Sequence, residues 1–453
     1  MPFTNETDAI TYVFQSIAKS NWKGRDLDEH SRDIRPTKTL LSTAGLTERK
    51  CEYVVVTGSK GKGSISAITA KLLQSLGHTV GLVTSPHLTT YRQRFRINGK
   101  MISEADLVRL INELEPHIDA VQAQLEPGKY LSPQGIFLAM AQKWFAENNV
   151  NVAVIEVGRG GRFDDNSLVP NKLSLFGPII VEHARYMGSS IKRIAWHKAG
   201  IIKAGGVAYS LPQSSPVVDV LYEEADEKQA QLTVLDEADM GKYIGPAKDG
   251  MCVDFRYFGK ISLPMLGSYE IENASLALRA AANLHARLDS EFNIDSTEYK
   301  IRIRQGLEHV FWPGRCHKLQ DEPAVYVDGA INVMSAKLFI ESVRDRLTSP
   351  VIVVLAVPKD RDFKAVYPLF ASVADAVVLT ETARNITISF PDEETVTQTA
   401  RLHYDDVTYR PNIREALKIA IEKAGSSGTV VMSIAQPAVG DLMEVYGLEF
   451  EII

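Results

Sequence analysis

Val54 to Ser64 reads VVVTGSKGKGS, and ISAITAKLLQSLG follows it to Gly77. The β-branched run predicts a buried strand over Val54–Thr57, and the second stretch is compatible with a helix. Between them, Gly58, Gly61 and Gly63 allow the backbone to turn tightly and press its N–H groups against an anion. The helix that follows aims its positive end at the same point. This is the pattern of a phosphate cradle, with Ser59 and Lys60 inside the loop, Lys62 reaching the outer phosphates and the Ser64 hydroxyl meeting a magnesium ion. The spacing departs from GxxxxGK[ST], because Gly58 precedes Gly61 by three positions and Gly63 separates Lys62 from Ser64. Glycine alone would explain a turn, but not a lysine and a hydroxyl where phosphate and metal require them.

Outward from the cradle, strand-like and helix-like segments alternate, which predicts an α/β fold with a mainly parallel sheet. Further strands are expected at His78–Thr84, Asn151–Val157, Leu173–Val181 and Gly206–Leu211. Helices are expected from Ser103 to about Pro116, from about Ser132 to Glu147 and from about Ser190 to Gly200. Met251–Pro264 breaks the pattern with two short alternating runs around Phe258-Gly259, a β-hairpin, after which helical periodicity resumes over Glu270–Arg287. A second βαβ series, AVYVD, VIVVLAV, AVVLT and GTVVMSI, follows Trp312-Pro313-Gly314. Two domains are therefore expected, residues 1–311 and residues 312–453.

Composition narrows the class. Apolar residues make up 45% and charged residues 23%, as in a soluble globular protein, and a net charge of -6 gives no electrostatic reason to bind nucleic acid or an anionic membrane. Cys51, Cys252 and Cys316 are scattered without a CxxC pair, which argues against disulfides and structural zinc. The start, MPFTNETDAITYVFQ, lacks the basic and apolar regions of a secretory signal, and apolar runs such as Val351–Val357 are only strand-length. A cytoplasmic location is the expectation.

Seven more strings follow in order: TSPHLTTYRQRFRINGKMIS (Thr84–Ser103), IEVGRGGRFDD (Ile155–Asp165), IAWHKAGIIK (Ile194–Lys203), LPMLGSYEIENASLAL (Leu263–Leu278), WPGR (Trp312–Arg315), VDGAIN (Val327–Asn332) and KDRD (Lys359–Asp362). With the cradle, this ordered set resembles the folylpolyglutamate synthase and dihydrofolate synthase family of the Mur ligase superfamily. The resemblance implies a P-loop ATPase domain with a mainly parallel sheet, a smaller C-terminal Rossmann-like domain, and ATP in the cleft between them. It also implies amide formation: a substrate carboxylate takes the γ-phosphoryl group, and the acyl phosphate is captured by an amino acid's amine, usually that of glutamate. Small-molecule acid and amine partners are thus expected, and no nucleic acid or membrane.

Residue by residue, the resemblance puts magnesium on Ser64, Ser85, Glu156 and His183. Two ions are implied, the second helped by a carbamylated Lys198. Asn273 falls at the adenine or phosphate edge, Arg315 on the phosphates and Asp328 on the ribose. Lys62, His183, Lys198 and Arg315 are the expected catalytic set, whereas Lys359, Asp360 and Asp362 read as a solvated loop.

The chain departs from the family pattern near substrates and phosphates. Ile331 replaces a histidine, Asp164-Asp165-Asn166-Ser167 replaces Asp-Ala-Thr-Asn, Gln134-Gly135 replaces Phe-Glu and Glu182-His183 replaces Asp-His. Tyr269-Glu270 replaces His-Gln, and Ile434-Ala435 replaces Gly-Ser. Because the expected metal ligands all survive, the favoured reading is an active, folylpolyglutamate synthase-like ligase, with a non-folate acid or another amine left open. Tyr91, Gln134, Arg159 and Asn166 are the positions expected to face the substrate. The competing reading, which Ile331 favours, is a non-catalytic nucleotide-binding paralogue with a regulatory or partner-binding role.

Overall fold

The computed structural model describes residues 2–20, 24, 26–48, 51–385 and 388–453. The first sheet contains β1 (Glu52–Thr57), β2 (Val80–Val83), β3 (Phe95–Ile97), β4 (Lys100–Met101), β5 (Val152–Glu156), β6 (Leu173–Phe176), β7 (Val207–Ser210) and β8 (Gln231–Val234), in the order β4-β3-β2-β5-β1-β6-β7-β8. Its pairings are parallel from β2 through β8, with β3 and β4 antiparallel at one edge. Val54, Val55 and Val56 are fully buried because helices cover both faces of β1, so the strand reads as a continuous apolar run. Parallel register sets Val56 of β1 beside Glu156 of β5, and Thr57 beside Phe176 of β6. The carboxyl ends of β1, β2, β5 and β6 therefore open on one edge, where open α/β sheets bind ligands.

A separate antiparallel sheet of β9 (Lys242–Ala247), β10 (Gly250–Phe255) and β11 (Gly259–Leu263) contains the expected hairpin plus β9, which was not expected. Exposed Tyr243 and Ile244 blur the alternation that would mark β9 as a strand. The third sheet runs β12 (His317–Asp321), β13 (Ala324–Asp328), β17 (Thr429–Ile434), β14 (Val351–Ala356), β15 (Ala376–Leu379), β16 (Val407–Tyr409). All of its pairings are parallel except that of β12 with β13. The fold is thus the expected combination of a large, mainly parallel sheet with a second, C-terminal α/β sheet.

Two boundaries differ from the sequence reading. The helix expected to stop near Pro116 spans Glu104–Ala123, because its apolar stripe of Leu107, Leu110, Ile111, Leu114, Ile118 and Val121 continues past the proline. The strand expected over Leu173–Val181 ends at Phe176, where Gly177-Pro178 turns toward the cradle and the Pro178 carbonyl accepts the Ser59 N–H at 2.7 Å.

The two larger sheets are tied together. One apolar cluster includes Val54, Ile65 and Leu72 together with Tyr326, Phe339 and Leu355, while Leu88, from the loop after β2, joins the cluster around β17. The chain's last residues return to β4, with Met101 N–H donating to the Glu451 carbonyl at 2.9 Å and Ile453 N–H to that of Gly99 at 3.2 Å. Arg96, 2% exposed, donates to the carbonyls of Gly99, Phe450 and Glu451. Among the described residues, no helix is long and apolar enough to cross a membrane.

Candidate active site

The cradle forms as its glycines require. Gly58 has φ 150° and Gly61 φ 75°, and a Cβ on Gly61 would lie 2.7 Å from the Asn273 Oδ1 atom. Helix Lys62–Ser75 starts directly from Gly61. The loop is anchored from behind: Thr57 Oγ1 donates to the Gly160 carbonyl at 2.6 Å, and Ile180 N–H donates to Ser59 Oγ at 3.1 Å. Gly63 packs against the Trp312 indole, which a Cβ there would meet at 3.0 Å.

In front of the cradle is a cavity of about 400 Å³. Its wall includes Ser59 to Ser64, Ser85, Glu156, Glu270, Asn273, Arg315 and Asp328. The expected nucleotide residues Asn273, Arg315 and Asp328 thus meet the cradle, although Asn273 comes from helix Ser268–Leu288 and Asp328 from the end of β13. Arg315 Nη1 donates to Gln436 Oε1 at 2.5 Å, which holds the guanidinium between the loop before β12 and helix Gln436–Val445. Asp328 accepts from Cys316 N–H at 2.6 Å and from the Tyr269 hydroxyl at 3.3 Å.

Ser64, Ser85 and Glu156 share this wall, and Glu156 accepts the Ser85 N–H at 2.9 Å. Burial pushes the carboxyls of Glu156 and Asp328 above their ordinary range. His183 is not on the wall. It precedes the short helix Ala184–Met187 with φ 49°, is itself exposed, and lies near Glu182, Arg159, Arg361 and Lys198. Lys198 is 1% exposed and reaches the cradle from behind, its Nζ donating to the Gly58 carbonyl at 2.8 Å and to Glu182 at 3.3 Å. Burial, followed by nearby Lys62, pulls the amine down to about 8, which raises the neutral fraction that a nucleophilic amine needs.

Among the described residues, no three His, Cys, Asp or Glu side chains converge into a metal cage. Two hydroxyls and a carboxylate are hard oxygen donors. They suit magnesium, which keeps several waters and completes its shell with substrate phosphates.

Two roles at the site escaped the sequence reading: Gln436, beside the cavity, gives no signal, and Glu270, on its wall, reads only as a departure. Glu270 is fully buried, accepting from Ser64 Oγ at 2.8 Å and from Asn273 Nδ2 at 3.0 Å, and burial pushes its carboxyl up to about 7. Asn166, expected to face a substrate, is instead wholly buried and donates to the Glu156 carbonyl at 2.7 Å. Arg159 is engaged by Asp28 and lies 3.8 Å over the Tyr186 ring. Tyr91 packs among His87, Phe14 and Phe137, and Gln134 lies in the first turn of helix Pro133–Glu147. Ile331 packs on the apolar cluster beneath β13, a use to which a hydrophobic side chain is suited.

Comparison with known proteins places this site in context. The Mur ligase glutamate ligase domain model matches residues 314–435. The dihydrofolate synthase/folylpolyglutamate synthase of Bacillus subtilis is 30% identical over 346 residues, covering 75% of this chain and 79% of that protein. The folylpolyglutamate synthase of Lacticaseibacillus casei is 28% identical over 376 residues, covering 80% of this chain and 82% of that one. The structure of Mycobacterium tuberculosis folylpolyglutamate synthase complexed with ADP and AMPPCP superposes with a TM-score of 0.83 at 25% identity, covering 98% of this chain and 99% of that one.

Proposed function

The chain belongs to the dihydrofolate synthase/folylpolyglutamate synthase family and is an ATP-dependent amide ligase; from that premise we propose that it joins the carboxylate of a folate-class acid to the amine of glutamate. The expectation of a non-folate acid, and the alternative of a non-catalytic paralogue, find no support among the relatives, which are named for folate ligation. The observation that carries the proposal is the convergence of Lys62, Ser64, Glu156, Arg315 and Asp328, from both α/β sheets, on one cavity.

In this reading the cradle N–H groups and Lys62 hold the phosphates, and Asp328 and Asn273 orient the nucleoside. Arg315, fixed by Gln436, faces the transferring phosphoryl group, where a preorganised cation stabilises developing charge without reorganisation. Ser64, Ser85 and Glu156 would hold magnesium, which when bound neutralises the reacting oxygens. His183 and Lys198 form a second set around Glu182, and Lys198 is proposed to become carbamylated there. A carbamate carbon signal in ¹³CO₂-equilibrated wild type and its absence in Lys198→Arg would support that modification; identical spectra would remove it.

The function is tested by ADP release with ATP and magnesium against dihydropteroate or tetrahydrofolate, with glutamate as amine. Amine-dependent turnover is expected, and hydroxylamine should divert the acyl phosphate to a hydroxamate. Turnover with no folate-class acid would overturn the proposal.

A further inference from the structure

The cradle hydroxyl has an unusual partner. Ser64 lies in the first turn of helix Lys62–Ser75, and its Oγ donates at 2.8 Å to Glu270, which comes from the first turn of helix Ser268–Leu288, 206 residues away. A serine hydroxyl has one hydrogen and two lone pairs. With the hydrogen given to Glu270, only lone pairs remain for the cavity, which is what a metal ligand must present. The second Glu270 oxygen is held by Asn273 Nδ2 at 3.0 Å, so the carboxylate cannot swing away without breaking a second bond.

Charge supports the same role. Glu156, Glu270 and Asp328 bring three buried carboxylates to a wall whose cations are Lys60, Lys62 and Arg315. Of these cations, Lys62 Nζ donates to the Gly58 carbonyl and Arg315 Nη1 to Gln436. Among the described residues Glu270 makes no ion pair; its side-chain bonds to Ser64 and Asn273 are to neutral donors. A negative group so placed beside incoming phosphates needs a cation between them.

We propose that Glu270 is a positioning residue for the divalent cation at the cradle: it orients the Ser64 oxygen toward the ion and adds the charge that lets the ion bind before the nucleotide. This rests on the ligase reading and adds to it a residue with its own role at the cradle.

The experiment measures Mn²⁺ binding to the nucleotide-free protein by loss of the free-ion electron paramagnetic resonance signal. Saturable binding is expected in wild type. Glu270→Gln, which keeps the shape and removes the charge, should raise the dissociation constant about tenfold, as loss of an outer ligand-orienting group does. In a Ser64→Ala background the same change should have a smaller effect, about threefold, because the orienting path is already cut and only the charge is lost. Thermal unfolding in EDTA should show Glu270→Gln at least as stable as wild type, which separates loss of the ion from loss of the fold. Unchanged Mn²⁺ affinity in Glu270→Gln, with Glu156→Gln impaired, would overturn the role of Glu270 and leave the ligase reading standing. A full tenfold effect persisting in Ser64→Ala, or no saturable binding by wild type, would also overturn it. Unchanged binding in Glu156→Gln would remove the metal from this wall altogether, and the ligase reading would then have to answer to ADP release.

Discussion

Gly61 concentrates two constraints in one residue, a left-handed backbone and a side-chain position already occupied by Asn273. Gly61→Ala should therefore displace Asn273 or reshape the cradle, and a titration with a fluorescent ATP analogue should show affinity falling at least about tenfold, or 1.4 kcal/mol. A second residue-scale expectation concerns acid. Burial pulls His317 from the ordinary 6.5 down to about 4, and its Nδ1 lacks a hydrogen-bond partner. The unfolded chain takes up a proton that the fold refuses, so this contribution to stability is complete above pH 6.5 and is lost as pH falls toward about 4. His317→Gln should flatten the decline of the unfolding midpoint between those values. The cradle was legible in the sequence because its chemistry is local, each glycine and lysine lying within a few positions of the next. Glu270 was not, because its meaning depends on a contact with Ser64 that only the folded chain makes.

Helix Glu104–Ala123 shows why boundaries were less legible than elements. A proline inside a helix removes one N–H and strains the preceding turn, so Pro116 reads as a stop. The buried stripe that continues to Val121 outweighs that penalty. Pro116 is itself exposed, so Pro116→Ala should restore the missing bond without opening a cavity. Chemical denaturation should show a gain of roughly 1–3 kcal/mol with ATP affinity unchanged. The long parallel strands β1, β5 and β14 announced themselves as apolar runs, whereas β4, with two residues, and β9, with exposed aromatic and aliphatic side chains, carry no comparable pattern. Such elements exist because neighbours offer them hydrogen bonds, and a local window does not contain those neighbours.

At the scale of the whole molecule, the site is assembled between two sheets, so the contacts that join them matter to chemistry as well as stability. Arg96 is the clearest case, buried with its two terminal nitrogens donating to three carbonyls. Arg96→Ala should leave those carbonyls unpaired and loosen residues 449–453, lowering unfolding free energy by about 2–3 kcal/mol in urea denaturation. The alternation of strands and helices disclosed both α/β sheets, but not the return of the final residues to β4, which no periodicity foretells. That return has a mechanical meaning. The smaller unit is joined to the larger one where the chain passes Trp312 and again where Phe450 and Glu451 lie under Arg96. A body held at both ends, and by the apolar cluster the two sheets share, cannot drift away, so Arg315 stays beside the cradle.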